Sequence, residues 1–194
     1  MSTHPLRASP RIEAARRFAA QAHQGQPRRG TRFPYIVHPL EVARLIAAHY
    51  SDEDLVVAGL LHDVLEDTDT TAAELERLFG SRVTGLVKAV TASNGANWRA
   101  TRSATLAKLV TAEPDAVRLK VADGLSNVRS IGRDIRRLGR AVAFAKSRAS
   151  SSADLAWYHG GICAVATERL GSEPLLAQYR SAIEAIWPEP PASA

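Results

Sequence analysis

The sequence predicts an all-α fold. Alanine, leucine and arginine dominate the 194 residues, whereas aromatic residues make up only 6%, and this composition favours helices over strands. Apolar residues recur three and four positions apart, as in "PRIEAARRFAAQAH" at residues 10–23, which is the period of a helix with one apolar face. No segment alternates between apolar and polar residues as a half-buried strand would.

Start and stop signals divide the chain into successive helices. Ser51 with Asp54 resembles a capping box with Asp in the place of Glu, and Thr71 with Glu74 has the standard form. Pro39 is expected in the first turn of a helix, where proline is tolerated. Further helices are predicted at about 101–112, from a cap at Asp115 onward, and at about 133–150, 152–170 and 173–187.

Two segments are expected to lack regular structure. Residues 91–100, "TASNGANWRA", are predicted to form a loop or lid, and the Pro-rich tail at residues 188–194 is expected to fray. Gly160 and Gly161 are expected to weaken the helix that contains them and to allow a kink.

Composition limits the classes of function. Cys163 is the single cysteine, which excludes an internal disulfide and makes a reducing compartment the default. There is no signal-peptide pattern and no run of about 18 apolar residues. We therefore expect a cytoplasmic protein without a membrane span, and one domain over residues 1–194. The sequence leaves the oligomeric state open, and a homo-oligomer is compatible with it.

A net charge of +5 and a pI near 9.8 allow three kinds of partner: nucleic acid, an anionic membrane surface or a small polyanionic substrate. The basic clusters are short and carry few interleaved aromatic residues, which argues against a nucleic-acid stacking platform. Solvated helix faces explain any single cluster equally well.

The stretch "LLHDVLEDT", residues 60–68, places one histidine and three carboxylates at the end of the apolar run "LVVAGLL". If it is helical, His62 and Asp63 each lie on the same face as Glu66, because positions three and four apart are neighbours. Buried acids are costly unless a cation neutralises them. An imidazole nitrogen with a carboxylate oxygen suits Mn²⁺, Fe²⁺ or Zn²⁺, so a metal site explains the pattern.

Two further residues are candidate ligands. His38 in "PYIVHP" and Asp123 in "LKVADGLSN" have apolar neighbours, so both are expected to point inward. Taken alone, such a histidine is more often a capping or core residue, and such an aspartate is more often paired or exposed. Together with His62 and Asp63 they would form a site of two histidines and two carboxylates. Lys120 could either bind substrate or form a simple ion pair with Asp123.

Four segments in this order resemble the HD-domain hydrolases of the RelA/SpoT type: "HQGQPRRGTRFPYIVHPLEVA", "AGLLHDVLEDT", "FGSRVTGLVKAVT" and "LKVADGLSN". The resemblance covers roughly residues 14–130, and the length is similar to that of small stand-alone alarmone hydrolases such as the metazoan SpoT homologues. It implies one HD-type bundle of about ten helices, with a motif core at 14–130 and C-terminal helices at 131–187.

The resemblance also implies an activity and its residues. The activity would be Mn²⁺-dependent hydrolysis of the 3′-pyrophosphate of (p)ppGpp, the alarmone of the stringent response, to GDP or GTP and pyrophosphate. By motif, the ligands of one Mn²⁺ ion are His38, His62, Asp63 and Asp123. Glu66 and Asp67 match the pair that orients or deprotonates the attacking water. Arg28, Lys120 and Asn127 match or accompany residues that lie near the nucleotide substrate.

Departures from the family pattern keep further functions open. Gly124 stands where the family often has a basic residue, and Ser126 stands where it often has histidine. These changes leave the metal site intact but bear on base recognition, so (p)ppApp is an alternative substrate. The sequence is also compatible with a nucleotide phosphatase acting on a 2′- or 3′-phosphate, and with a sensor that binds a nucleotide without cleaving it. Trp157, Tyr158 and His159 are expected in a core or interface and not in catalysis.

Overall fold

The structure, a computed structural model, describes residues 9–92, 97–147, 149 and 151–188. Over these residues the chain forms eleven helices and no strand, and an isolated bridge pairs Pro27 with Pro34. The helices are α1 (Pro10–Ala22), α2 (Val37–Ala47), α3 (Glu53–Leu61), α4 (Val64–Asp67), α5 (Ala72–Phe79), α6 (Ser81–Val90), α7 (Trp98–Thr111), α8 (Pro114–Leu138), α9 (Arg140–Ala145), α10 (Ser152–Leu170) and α11 (Pro174–Ile186). Ten of these helices are longer than the single turn α4, so the prediction of an all-α fold with about ten helices is confirmed.

The helices divide into two compact units at the boundary between Thr91 and Ala92. The first unit contains α1 to α6, and the second contains α7 to α11. The assignment of residues 1–194 to one HD-type domain stays a prediction. Along the described part of the chain, none of the helices has both the length and the hydropathy that crossing a membrane requires.

Helix α3 is the centre of the first unit. Every residue from Leu55 to Leu61 is buried, and α1, α2 and α6 pack around this helix. A helix that is apolar on all sides belongs in an interior. Gly59 permits the approach of α2, because a Cβ atom at this position would lie 2.7 Å from Ile46 Cδ1 and 3.2 Å from the Ala43 Cα atom.

Helix α8 has the corresponding place in the second unit. It is 25 residues long, it packs against α9, α10 and α11, and its N-terminal half is buried. Gly124 admits a side chain from α11, since a Cβ atom there would lie only 2.6 Å from the hydroxyl oxygen of the fully buried Tyr179.

The capping predictions are partly confirmed. The Thr71 hydroxyl accepts a hydrogen bond from the Glu74 backbone N–H at 3.2 Å, as predicted. Ser51 is not the cap of α3; Asp52 is, and its side chain accepts from the Leu55 N–H at 3.1 Å. Asp52 also pairs with Arg82 of α6, a tertiary contact that the local sequence does not show.

Helix boundaries differ from the predictions at three other places. Helix α2 begins at Val37, so Pro39 lies in its first turn, as predicted, but is not its first residue. Helix α8 begins at Pro114, where the missing N–H costs nothing, so Asp115 lies in the first turn and is not the cap. Helix α7 begins at Trp98, so the predicted loop at 91–100 ends earlier, and its residues 93–96 lie outside the described residues.

The C-terminal helices are also arranged differently. The helix predicted at 133–150 is wrong: α8 continues to Leu138, Gly139 ends it with φ 82°, and α9 is short. Helix α10 runs through Gly160 and Gly161 without interruption. Residues 189–194 of the tail that was predicted to fray lie outside the described residues.

We predict that Gly59→Ala destabilises the protein by about 1–3 kcal/mol, because the new methyl group would force α2 away from α3. Gly85→Ala is the matched control in the same unit. Gly85 is also inside a helix, but no atom lies within 4 Å of its added Cβ, so alanine should stabilise by about 0.5–1 kcal/mol through backbone entropy. Urea unfolding followed by circular dichroism measures both, and equal stability of the two variants would contradict the packing argument.

Candidate active site

Two buried imidazoles lie side by side in the first unit. His38 is the second residue of α2, and His62 directly follows α3. Their ring centroids are 5.1 Å apart with an interplanar angle of 71°. The Gly59 carbonyl lies 2.9 Å from His62 Nδ1, and because a carbonyl only accepts, Nδ1 carries the hydrogen. His62 therefore presents the lone pair of Nε2, which is the form that binds a metal ion.

The Asp63 carboxylate faces both imidazoles. Its Oδ2 atom lies 3.1 Å from His62 Nε2 and 3.6 Å from His38 Nε2. His62 Nε2 presents a lone pair, so a cation held between it and the carboxylate oxygen would be favourable for both acceptors. Two imidazole nitrogens and a carboxylate oxygen are ligands that first-row divalent ions accept. The donor set of the first unit therefore fits a divalent metal ion.

The sequence suggested that one continuous helix carries these residues, but the structure shows two helices with a turn between them. Helix α3 ends at Leu61, His62 and Asp63 form a turn, and α4 follows. On a continuous helix, adjacent side chains diverge by about 100°. The two side chains nevertheless approach one another, since His62 Nε2 lies 3.1 Å from Asp63 Oδ2.

Burial along this segment also differs from the expectation that all four polar residues point inward. His62 is buried, Asp63 and Asp67 are half-buried, and Glu66 is exposed. Asp67 nevertheless remains close to the cluster, because its Oδ2 atom lies 3.1 Å from the Tyr35 hydroxyl. Asp67 is thus the predicted catalytic acid that contacts Tyr35, and Tyr35 in turn contacts Asp63.

Tyr35 is the residue of this cluster that sequence reasoning missed. Its hydroxyl donates to Asp63 Oδ2 at 2.7 Å, the same oxygen that faces the two histidines. Burial raises the pKa of Tyr35, and the nearby charge of Asp63 raises it further, so the phenol keeps its proton and acts as a donor. The available signal was its position in "PYIVHP", three residues before His38.

Arg28 lies beside the cluster. Its guanidinium is over the Tyr35 ring, 5.6 Å from the centroid. The segment of residues 24–35, which we call the arginine loop, is closed by backbone hydrogen bonds from Arg28 N to Phe33 O at 2.7 Å and from Tyr35 N to Gln26 O at 2.9 Å. The other two arginines of the loop, Arg29 and Arg32, are exposed.

The second unit holds the other predicted residues on α8. Asp123 is buried, its Oδ2 accepts from Lys120 Nζ at 2.8 Å, and its Oδ1 accepts from Asn127 Nδ2 at 2.6 Å. Burial alone would lower the pKa of Lys120, but the charge of Asp123, the nearby Tyr158 and the hydrogen bond to Asp123 together raise it. The ammonium therefore stays charged, and the three residues lie on one helix face, as their spacing predicted.

Behind this face, the second unit has a buried histidine that the site does not require. His159 Nδ1 lies 2.7 Å from the Tyr179 hydroxyl, and its ring stacks on Trp187 at 5.9 Å. Burial lowers the pKa of His159 to about 4, against the opposing charge of Asp123. A neutral imidazole between two aromatic side chains is a core residue, in agreement with the expectation for His159.

Known proteins resemble this chain in sequence and in fold. The family model described as "HD domain" matches residues 15–146. A guanosine-3′,5′-bis(diphosphate) 3′-pyrophosphohydrolase of Aquifex aeolicus is 39% identical over 134 residues, which are 68% of this chain and 19% of that protein. The bifunctional (p)ppGpp synthase/hydrolase SpoT of Escherichia coli is 36% identical over 128 residues, 63% of this chain and 18% of that protein. The chain thus spans about a fifth of the length of these relatives.

Two solved structures share the fold. A metazoan ortholog of SpoT, described as hydrolysing ppGpp with a role in starvation responses, has a TM-score of 0.70 at 24% identity and covers 94% of this chain and 98% of its own. A Listeria monocytogenes protein has a TM-score of 0.71 at 29% identity and covers 80% of this chain and 97% of its own. The matched family segment includes His38, the His62–Asp63 pair and Asp123, and on this evidence the chain belongs to the HD-domain family.

Proposed function

We propose that this protein hydrolyses the 3′-pyrophosphate of (p)ppGpp to GDP or GTP and pyrophosphate with the help of a divalent metal ion. The observation that carries the proposal is the Asp63 carboxylate facing two buried imidazole nitrogens at 3.1 and 3.6 Å. The activities by which the Aquifex and Escherichia relatives are named support it, and the segment that matches the HD-domain family contains these residues.

The proposed ligands are His38, His62, Asp63 and Asp123. Asp123 is included because of its motif and because Lys120 and Asn127 hold its two oxygens, as outer hydrogen bonds orient a ligating carboxylate. We propose Mn²⁺ as the ion, which accepts both imidazole and carboxylate ligands. When bound, it would lower the pKa of a water molecule and offset the charge that develops on the pyrophosphate.

Asp67 and Glu66 are proposed to orient the attacking water and to accept its proton. The water oxygen forms a bond to the phosphorus next to the ribose, the bond from that phosphorus to O3′ breaks, and a proton reaches O3′. Asp67 has a fixed position for this task through Tyr35. Glu66 is exposed, so its carboxylate is accessible to an incoming substrate.

Arg28, Lys120 and Asn127 are the proposed substrate contacts. The planar guanidinium of Arg28 suits phosphate oxygens or a base, and its position over Tyr35 keeps it near the water-orienting acids. The Lys120 ammonium pairs with Asp123 and would also offer its positive charge to the substrate. Asn127 would offer its side-chain amide from the same helix face.

The adenine alarmone (p)ppApp is the second candidate substrate, and one observation bears on it. Tyr179 fills the space beside Gly124, so no basic side chain stands at the position where the family often has one. A changed side chain near the ligand Asp123 can change base preference without changing the hydrolytic chemistry.

The proposed function predicts the products of one assay. Purified protein with Mn²⁺ is incubated with ppGpp, ppApp and a nucleoside 3′-monophosphate, and the products are resolved by anion-exchange chromatography. We expect pyrophosphate and the 5′-diphosphate from an alarmone, and no phosphate from the 3′-monophosphate. Release of phosphate from the 3′-monophosphate alone would indicate a phosphatase, and binding without any product would indicate a sensor.

We predict that Asp63→Ala loses Mn²⁺ affinity by more than about 100-fold and loses turnover with it, because a ligand is removed and not merely a hydrogen bond to a ligand. Asp69→Ala is the matched control, since Asp69 is an exposed acid of the same segment. Electron paramagnetic resonance of free Mn²⁺ measures the affinity. Wild-type Mn²⁺ binding by Asp63→Ala would remove the ligand from the proposal.

We also predict that Glu66→Gln lowers kcat by about 10²–10⁴-fold, the usual contribution of a general base, while Mn²⁺ and substrate binding stay unchanged. Glu76→Gln, at an exposed glutamate of α5, should hydrolyse substrate at the wild-type rate. A Glu66→Gln variant with undiminished turnover would leave Asp67 as the acid that handles the water.

A further inference from the structure

We propose that Tyr35 is a positioning residue that links the metal ligand Asp63 to the water-orienting acid Asp67, and that Gln26 holds Asp67 from the other side. This inference rests on the proposed function, whose residues it connects. It concerns the first unit alone, and every contact that it uses lies within that unit.

The Tyr35 hydroxyl lies close to the carboxylates of both Asp63 and Asp67. Its oxygen lies 2.7 Å from Asp63 Oδ2 and 3.1 Å from Asp67 Oδ2. A phenol has one hydrogen, so it donates to one carboxylate at a time. The nearer acceptor is the oxygen that also faces the Nε2 atoms of the two histidines. Tyr35 therefore controls the direction of the carboxylate oxygen that completes the donor set.

The two acids that the hydroxyl contacts carry like charges. Asp63 and Asp67 are four residues apart, and like charges at this spacing repel each other. A hydroxyl between them reduces this cost, because its dipole directs a positive end toward the acids. Each carboxylate oxygen carries two lone pairs, so Asp63 Oδ2 can keep this hydrogen bond while it faces a cation.

Contacts with His23 and Gln26 hold Tyr35 and Asp67 in place. The ring of the buried His23 packs on the Tyr35 ring with 4.7 Å between centroids. The Gln26 side-chain amide donates to the Asp67 carbonyl at 2.8 Å, and its Oε1 atom lies 2.9 Å from His23 Nδ1. Because an amide oxygen only accepts, His23 Nδ1 is the donor of that hydrogen bond.

These contacts hold Asp67 at two points. Its carboxylate contacts Tyr35 and its backbone carbonyl contacts Gln26, and both partners belong to the arginine loop. The same loop positions Arg28 over the Tyr35 ring. The loop that would meet the substrate is therefore joined to the acid that would activate the water, and neither can shift without straining the other.

The test uses Tyr35→Phe, which keeps the ring and its packing on His23 and removes only the hydroxyl. We expect Mn²⁺ affinity to fall by about 10-fold, the effect of losing a hydrogen bond to a ligand. We expect kcat to fall by about 10–100-fold with KM within about 2-fold, as for a contact that matters in the transition state. Gln26→Leu should lower kcat and leave Mn²⁺ affinity unchanged, because Gln26 contacts Asp67 and not a proposed ligand.

Tyr50→Phe is the matched control, because Tyr50 is in the same unit and its ring lies beside His49, at 6.3 Å between centroids. Mn²⁺ affinity is measured on metal-free protein by electron paramagnetic resonance, and thermal unfolding of that protein reports the fold. Wild-type affinity and kcat in Tyr35→Phe would overturn the inference. A second result would also overturn it: a melting temperature of metal-free Tyr35→Phe that is low enough to explain the losses of both Mn²⁺ affinity and kcat. Tyr35 would then only stabilise the fold.

The metal measurement separates this inference from the proposed function. If the wild type binds Mn²⁺ but releases no pyrophosphate from either alarmone, the proposed function fails. The comparison of Mn²⁺ affinity between Tyr35→Phe and Tyr50→Phe still decides whether Tyr35 positions Asp63.

Discussion

The close approach of α2 to α3 at Gly59 is the constraint on which the site in the first unit depends. Because Gly59 has no side chain, the backbone of α2 at Ala43 comes within 3.2 Å of the position that a Cβ atom would occupy. This approach brings His38 of α2 beside His62 at the end of α3. The Gly59 carbonyl also accepts from His62 Nδ1, so one residue determines both the distance between the imidazoles and the nitrogen that His62 presents.

The carboxylates of Asp63 and Asp123 have different partners in the two units. In the second unit, Asp123 has a permanent counter-charge in Lys120 and a neutral donor in Asn127, both on its own helix. In the first unit, Asp63 faces imidazole nitrogens and receives one hydroxyl hydrogen. Two imidazole nitrogens and a carboxylate oxygen are ligands that a first-row divalent ion accepts, and this donor set is the physical argument for a cation at Asp63.

The C-terminal helices explain one departure from the family pattern on α8, the glycine at position 124. Gly124 leaves space that Tyr179 of α11 fills, and Tyr179 is in turn held by His159 of α10. A larger residue at position 124 could not coexist with this arrangement. The substitution and the packing of the C-terminal helices therefore belong together, and the chemistry near Asp123 depends on residues more than 30 positions further along the chain.

Residue types and short-range spacing determined much of this protein. The sequence predicted the helical period, the cap at Thr71, the shared face of Asp123 and Asn127, and the inward position of His38 and His62. These features depend on residues within a few positions. Tertiary structure alone decided the rest. The turn at His62–Asp63 contains no glycine or proline to indicate it, and Tyr35 reaches acids that lie 28 and 32 positions away. Such contacts are determined by how helices pack, which a local pattern does not encode.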